Sequence, residues 1–377
     1  MLNKLNNIHV KNLIYYLIPL LLIIIFIIIS DPKTSTDTQR FIRWSKDMNL
    51  NIFEAYDYLS AQREIKGVMF FFSVIYFKIA NLFGDYWKNG FVILNLICFS
   101  LILFLIKKKL SQSVKFYYII PFFLIINYDF IFWSNYLLTD FFFQFLCFIV
   151  ITNLVFQKKI YFSLFFLFII IFTRPPGIVL VLVLFQYLFV QNSIENNKIL
   201  FLKIISIIIL YIFAIILVSY LIINNIFFEN LMNTFTYHRN YFLDGVIIND
   251  RPHTYLEKPT NSLDIVKIIA LRILNFFMFY DKLFSFKHNI INILVYLPLY
   301  IFSLITVFNF NNYNYDQKKL ILALVFTIIS FAIFHSFLLI DYDWRYRLPC
   351  IIPITILATM SINLFSSSIK KIYLSKF

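Results

Sequence analysis

Long apolar runs separated by short polar stretches occupy the chain from end to end. Runs of about 17–25 residues recur, and this is the length that a helix needs to cross about 30 Å of hydrocarbon. The runs do not alternate apolar and polar residues, as the strands of an outer-membrane barrel would. The pattern therefore predicts an all-α, polytopic transmembrane bundle in which residues 1–377 form one integral-membrane domain.

The apolar segments between polar stretches are the predicted membrane helices. The first is retained rather than cleaved, because lysines precede it and no small-residue cleavage site follows Ser30. The segments cover about residues 13–30, 67–83, 90–106, 116–133, 137–156, 160–173, 177–191, 200–223, 267–280, 289–308, 320–340 and 348–366.

Two longer polar loops interrupt this pattern, at residues 31–66 and at about 224–266, and both are predicted to be external. The first carries aromatic and apolar residues at helical spacing, which is typical of juxtamembrane helices lying in the membrane interface. Lysines favour the cytoplasmic side of a membrane. Lys4 and Lys11 therefore place the N-terminus in the cytoplasm.

Strict alternation of all segments cannot keep every lysine cluster in the cytoplasm. The mismatch disappears when residues 67–106 and 267–308 each cross once, with one part of each interfacial or re-entrant. This predicts about ten crossings, or twelve if both stretches form hairpins. The same topology places four charged residues on one external face: Asp37, Asp140, Arg174 and Arg345.

The composition excludes a soluble protein and gives no sign of nucleic-acid binding. The residues are 61% hydrophobic and 21% aromatic with a mean hydropathy of +0.81, which leaves no polar face for soluble helices. The formal net charge is +14, but no basic stripe or nucleic-acid motif accompanies it. Cys98, Cys147 and Cys350 lie within or against apolar runs, where they are expected to pack as small hydrophobic side chains.

Carboxylates at helix ends are the first candidates for chemistry. Asp37 follows the first helix and is either the cap of an interfacial helix or a general base. Asp140 opens a long apolar segment, where capping and a role in a site are compatible. Glu64 and Lys66 end the first external loop and are either interfacial anchors or groups that face a cavity.

Arginines at two further helix ends are candidates for binding an anion. Arg174 lies in Thr173-Arg-Pro-Pro-Gly177, where prolines and glycine break the chain, and it either grips a lipid phosphate or snorkels to bulk phospholipid. Arg345, Tyr346 and Arg347 precede the last segment. Aromatic residues of this kind are common at the ends of any membrane helix. Binding of a phosphate is the more specific interpretation of the cluster.

In their order along the chain, these residues resemble the GT-C superfamily of integral-membrane glycosyltransferases, in particular the bacterial relatives of protein O-mannosyltransferases and lipid A aminoarabinose transferases. The matching residues are Asp37, Glu64, Lys66, the stretch Trp133-Ser-Asn-Tyr-Leu-Leu-Thr-Asp140, Thr173-Arg-Pro-Pro-Gly177 and Trp344-Arg-Tyr-Arg-Leu-Pro349. Two departures stand out. The paired Asp-Glu of the first loop is only Asp37-Thr38 here, and a Lys-Pro-Pro of some relatives is Ile65-Lys-Gly.

The resemblance implies transfer of a sugar from a polyprenyl-phosphate donor on the external face of a bacterial plasma membrane, with inversion at the anomeric carbon. The acceptor is expected to be a glycan, lipid or protein of the cell envelope, and membrane lipid is a further expected partner. The resemblance implies a divalent metal ion as a possible cofactor, and its ligands are unknown. The implied residues are the acids Asp37 (the base), Asp140 and Glu64, and the donor-binding group Lys66, Arg174, Arg345, Tyr346 and Arg347.

Two other functions fit a polytopic membrane protein. A transporter or flippase of lipid-linked glycans would concentrate charges and broken helices near the bilayer midplane, often in repeated halves. Here the noted charges lie at helix ends and no repeat is visible. A glycan ligase or polymerase would call for arginine-rich external loops, and residues 224–266 are only modestly basic.

Overall fold

The computed structural model describes residues 2–48, 51–61, 67–156, 160–224, 233–338 and 345–374. Helices make up 82% of it, and the described ranges contain no strand. An isolated parallel bridge joins Lys33 to Tyr136. The predicted all-α fold is confirmed.

The α-helices follow the predicted apolar segments closely, with additional helices in both polar loops. In chain order they are α1 (Leu2–Ser30), α2 (Thr36–Asp47), α3 (Ile52–Ser60), α4 (Phe71–Asn81), α5 (Trp87–Leu105), α6 (Ile120–Ile126), α7 (Tyr128–Ser134), α8 (Asp140–Phe156), α9 (Ile160–Ile171), α10 (Val179–Gln191), α11 (Asn197–Asn224), α12 (Asn233–Leu243), α13 (Ser262–Phe276), α14 (Phe286–Phe308), α15 (Tyr315–Phe337) and α16 (Leu348–Leu374).

Several of these helices are long and apolar enough to span a membrane. Among the described residues four pass this test, namely Gly84–Leu110, which contains α5, together with α11, α14 and α15. The bent pair α6–α7 makes a fifth if it counts as one span. The predicted count of about ten is larger because it also included shorter apolar helices such as α8, α9 and α10, which have only 12 to 17 residues. A helix of 12 residues is about 18 Å long, so the number of crossings stays a prediction.

The predicted segment 116–133 is not one helix, and this expectation is corrected. The chain bends by 76° between α6 and α7. Asn127 has an extended backbone (φ −72°, ψ 110°), and its side chain accepts a hydrogen bond from the Phe130 backbone N–H at 3.1 Å. One residue therefore ends α6 and caps α7, which is the usual preference of asparagine.

A second helix cap lies in the first polar loop, and it shows that Asp37 is not the cap of α2. Ser35, rather than Asp37, is the N-cap of α2, and its hydroxyl accepts a hydrogen bond from the Thr38 backbone N–H at 3.2 Å. The Thr38 hydroxyl in turn accepts from the Ser35 backbone N–H at 3.0 Å. Because Ser35 and Thr38 form a capping box, the Asp37 carboxylate is not needed as a cap.

The core is centred on α8, which packs against α5, α9, α15 and α16. Thirteen of the seventeen α8 residues are buried, against four of twenty-eight in α11 at the periphery. The helices α14 and α16 are joined by hydroxyl groups that donate to backbone carbonyls, Ser303 to Ile354 at 2.9 Å and Thr306 to Leu357 at 2.7 Å. Such bonds hold helices together where the hydrophobic effect between them is weak. The three cysteines are buried and free, as expected.

Candidate active site

One small cavity of about 10 Å³ brings together charged residues from distant parts of the chain. Asp140, Arg174, Arg345 and Tyr346 line it, with Phe143, Pro176, His335, Leu348 and Pro349. Asp37 joins this group through an ion pair with Arg345, in which Oδ2 lies 3.4 Å from Nη1. Glu64 and Lys66 lie outside the described residues. The four charged residues that the distribution of lysines predicted to lie on one face are therefore close together in the structure.

Asp37 lies in the first turn of α2 and is about one quarter exposed (28%). Its Oδ1 accepts a hydrogen bond from Arg40 Nη1 at 3.0 Å, and its Oδ2 faces Arg345. The N-terminus of α2 adds a favourable field for a negative charge. The Asp37 carboxylate is thus partly exposed and held between two guanidinium groups.

Asp140 opens α8 and forms an ion pair with Arg174, from Oδ1 to Nη1. The two side chains are 6% and 14% exposed, so this pair is largely shielded from solvent. The second oxygen, Oδ2, is buried and has no hydrogen-bond partner among the described residues. A buried polar atom without a partner is costly and is typical of a site that receives a ligand.

Ser73 holds the two segments that carry this pair. Its hydroxyl donates to the Thr173 carbonyl oxygen at 2.7 Å and lies 2.7 Å from the Thr139 hydroxyl. Thr173 and Thr139 directly precede Arg174 and Asp140. A single buried serine of α4 therefore determines how closely the two charged side chains approach. Its position was not singled out in the sequence, because nothing in an apolar helix distinguishes it.

The backbone after Arg174 explains the glycine in this motif. Arg174 is extended (φ −153°, ψ 142°), as residues before proline usually are, and a 3₁₀ turn follows at Pro175–Ile178. A Cβ atom added at Gly177 would lie 2.5 Å from the Ile170 carbonyl oxygen. Gly177 is therefore required for close backbone contact with α9, whereas the sequence suggested a tight turn.

A second clamp fixes Asp37 relative to the segment before Asp140. The Lys33 backbone N–H donates to the Asn135 carbonyl at 3.2 Å, and the Leu137 backbone N–H donates to the Lys33 carbonyl at 2.8 Å. The Thr38 hydroxyl donates to the Leu137 carbonyl at 2.8 Å. Since Thr38 is the neighbour of Asp37, both acids are positioned by the same short piece of chain.

Arg345 and Arg347 point to different environments although both lie in one 3₁₀ turn, Arg345–Arg347. Arg345 Nη2 donates to the Tyr346 hydroxyl at 3.3 Å at the cavity wall. Arg347 is 3% exposed and is bound to Asp129, with Nη2 2.6 Å and Nε 3.2 Å from Oδ2. Arg347 does not line the cavity, because its guanidinium is bound by Asp129 instead of facing the site where it was predicted to bind the donor.

His335 is a wall residue that sequence reasoning did not single out. It is 2% exposed, and its ring stacks on Phe276 at 5.9 Å and lies 4.6 Å from the Tyr346 ring. Nδ1 has no hydrogen-bond partner among the described residues. The sequence feature that could have identified His335 is that it is a single histidine in the long apolar helix α15. This imidazole offers the cavity a neutral hydrogen-bonding group.

The donor set of the cavity does not fit a divalent metal ion. The described residues contain no group of three or more histidine, cysteine, aspartate or glutamate side chains that could hold one. Asp37 and Asp140 are each paired with arginine instead. Divalent cations such as Mg²⁺ and Ca²⁺ are held by several carboxylate or carbonyl oxygens. Two carboxylates that are already paired with arginines do not provide such a ligand set.

Two arginines that face two carboxylates make the cavity suitable for one anionic group. A guanidinium can exchange a carboxylate for a phosphate with similar bidentate geometry. The open space of about 10 Å³ holds about one water molecule, so a phosphate would have to displace the two carboxylates from the guanidinium groups in order to bind. No protein-family model, curated protein or solved structure matches the chain.

Proposed function

We propose that this chain is a membrane glycosyltransferase that moves a sugar from a polyprenyl-phosphate donor to a cell-envelope acceptor. One observation carries the proposal: Arg174 and Arg345 line one cavity, where Arg174 is paired with Asp140 and Arg345 is paired with Asp37. These four residues come from separate parts of a chain with several apolar helices. Placing so many charges at one point in an apolar protein is expensive, which favours a function over an incidental arrangement.

The proposed chemistry is a single displacement at the anomeric carbon. The acceptor hydroxyl attacks this carbon, its proton passes to the Asp37 carboxylate, and the bond to the phosphate oxygen breaks. The negative charge that develops on the departing polyprenyl phosphate is stabilised by Arg174 and Arg345. Attack opposite the leaving group inverts the configuration.

The ion pairs suggest how donor binding prepares the base. Without donor, Arg345 contacts Asp37 and Arg174 contacts Asp140. A phosphate that binds both arginines competes with both carboxylates for the same guanidinium groups. Asp37 then loses one of its two cationic partners, and its Oδ2 becomes free to accept a hydrogen bond from the acceptor hydroxyl. In this way the donor itself activates the base.

Envelope glycolipids analysed by mass spectrometry test the proposal. Four strains are compared: wild type, a deletion, Asp37→Asn and Asp47→Asn. Asp47 is a matched control because it is an exposed acid of the same helix whose Oδ2 accepts from the Tyr58 hydroxyl at 3.2 Å. We expect Asp37→Asn to reproduce the deletion profile while Asp47→Asn retains that of wild type. A wild-type profile in Asp37→Asn, with an altered one in the deletion, contradicts the assignment of the base.

Transport of a lipid-linked glycan is the second candidate, and the broken helix α6–α7 favours it. The ion pair Asp129–Arg347 is buried directly beside this break. Broken helices with buried charges are a common feature of transporter sites. A fluorescent lipid-linked disaccharide in proteoliposomes separates the two functions. Protein-dependent flipping without sugar transfer supports transport, and transfer without flipping supports the enzyme.

A further inference from the structure

A second and larger cavity lies where the first polar loop begins. It measures about 380 Å³, and its walls are the C-terminal end of α1, the residues that follow it, and α7. This volume falls within the usual range of about 300–1,000 Å³ for small-molecule sites. Unlike the first cavity, it has no arginine among the described residues that line it.

The polar side of this second cavity offers both hydrogen-bond donors and acceptors. Asn135 Nδ2 donates to the Ser30 hydroxyl and to the Asp31 carbonyl oxygen, each at 2.7 Å. Asn135 is 1% exposed, and its Oδ1 accepts no hydrogen bond from the described residues. Asp31 and Lys33 line the same cavity and carry opposite charges. A neutral ligand with several hydroxyl groups satisfies this mixture, whereas a second phosphate would meet the Asp31 carboxylate.

The opposite side of the second cavity is aromatic and apolar. The rings of Tyr128 and Phe132 stack with centroids 5.6 Å apart and an interplanar angle of 23°. Ile29 belongs to the same lining and is 77% exposed. The C–H face of a sugar ring packs well on an aromatic face, and an exposed apolar rim accommodates a lipid chain.

The segment that follows α1 connects the two cavities. Lys33 lines the second cavity, and Asp37, which is paired with Arg345, lies only four residues further along the chain. Four residues span at most about 14 Å. Resting on the proposed function, we propose that the second cavity binds a sugar ring of a membrane-anchored acceptor. The acceptor hydroxyl then approaches Asp37 from one side, and the donor phosphate lies on the other.

Binding of two probes to the full chain in lipid nanodiscs tests this site. Hexyl β-D-glucoside represents the acceptor and is followed by saturation-transfer NMR, and farnesyl phosphate represents the donor and is followed by calorimetry. The cavity variant is Lys33→Gln/Tyr128→Leu. The matched control is Lys115→Gln/Tyr118→Leu, because both of its residues are exposed, lie before α6 and line neither cavity.

We expect saturation of the sugar-ring protons in wild type and in the control variant. In the cavity variant the glucoside binds about tenfold more weakly, since a ring contact and a charged hydrogen-bond donor are lost. Farnesyl phosphate binds all three proteins equally. Equal glucoside binding by the cavity variant overturns the proposal. So does equal binding of a hexyl oligoethylene glycol ether, which has the chain but no sugar. Failure of farnesyl phosphate to bind wild type counts against the proposed transferase and leaves the sugar site intact.

Discussion

Replacing Asp129 with asparagine tests whether the buried ion pair holds the bundle together. Its carboxylate accepts hydrogen bonds from Arg347 Nη2 and from the Tyr296 hydroxyl, each at 2.6 Å. The side chains of Asp129 and Arg347 are 7% and 3% exposed. Asparagine keeps the shape of the side chain, so the substitution removes the charge without opening a cavity.

The expected loss follows from the buried cation that remains. Removing one partner of a buried pair costs about 3–5 kcal/mol, because the other charge stays buried without compensation. Arg347 also donates to the Met278 carbonyl oxygen, which satisfies part of the guanidinium. We therefore expect about 3 kcal/mol, at the lower end of that range. The exposed pair Asp316–Lys319 (2.9 Å, carboxylate 66% exposed) provides the comparison, and Asp316→Asn should cost about 0–1 kcal/mol.

Unfolding of the purified full chain in mixed micelles, titrated with a denaturing detergent, measures these free energies. The variants are Asp129→Asn, Arg347→Gln, the double substitution and Asp316→Asn. Because Asp129 and Arg347 contact each other, the double variant should lose clearly less than the sum of the single losses. A loss in Asp129→Asn no larger than in Asp316→Asn, or a double variant that is strictly additive, refutes the reasoning.

Three further perturbations test the positioning of the site. Gly177→Ala should lower the melting temperature and sugar transfer, because its Cβ would lie 2.5 Å from a backbone carbonyl oxygen of α9. Ser73→Ala should cost about 1–3 kcal/mol and reduce transfer, measured with proteoliposomes, whereas Ser100→Ala, whose hydroxyl bonds only within its own helix, should not. Hydrogen bonds from the Thr260 backbone and hydroxyl lower the pKa of Asp264 below its ordinary value. Its stabilising contribution is therefore present above about pH 3.9 and is lost as the pH falls through the lowered pKa. The melting-temperature difference between wild type and Asp264→Asn should shrink over that acidic range.

Helix positions were predictable because apolar runs directly reflect burial in a bundle or membrane. The segment predicted at 160–173, for example, is α9 (Ile160–Ile171). The bend at Asn127 was missed because a single polar group in an apolar run was counted as part of the run. A cap signal was nevertheless readable, since Asn127 and Asp129 together are typical of a helix start. Hydrophobicity averaged over a window conceals such a short interruption.

The grouping of charges at the site was predictable, but their pairing was not. Lysine distribution alone placed Asp140 and Arg174 on the same face. Which arginine contacts which acid depends on tertiary contacts such as those of Ser73. The sequence gives no reason to assign different roles to Arg345 and Arg347. The position of Asp129 in the fold distinguishes the two, because Asp129 binds Arg347.

The ion pair and the cavity are linked by the geometry of one turn. A 3₁₀ helix has three residues per turn, so side chains two positions apart point in directions that differ by about 120°. With Arg347 held by Asp129 in the core, Arg345 must project away from Asp129, where it meets Asp37. A buried ion pair gives little net stability compared with apolar packing. The ion pair instead fixes the orientation of the turn, and so it directs the Arg345 guanidinium towards Asp37. An apolar side chain at position 347 would fix this orientation less well, because it could rotate in the core. The charges at Asp129 and Arg347 are therefore best explained by the position that they give to Arg345.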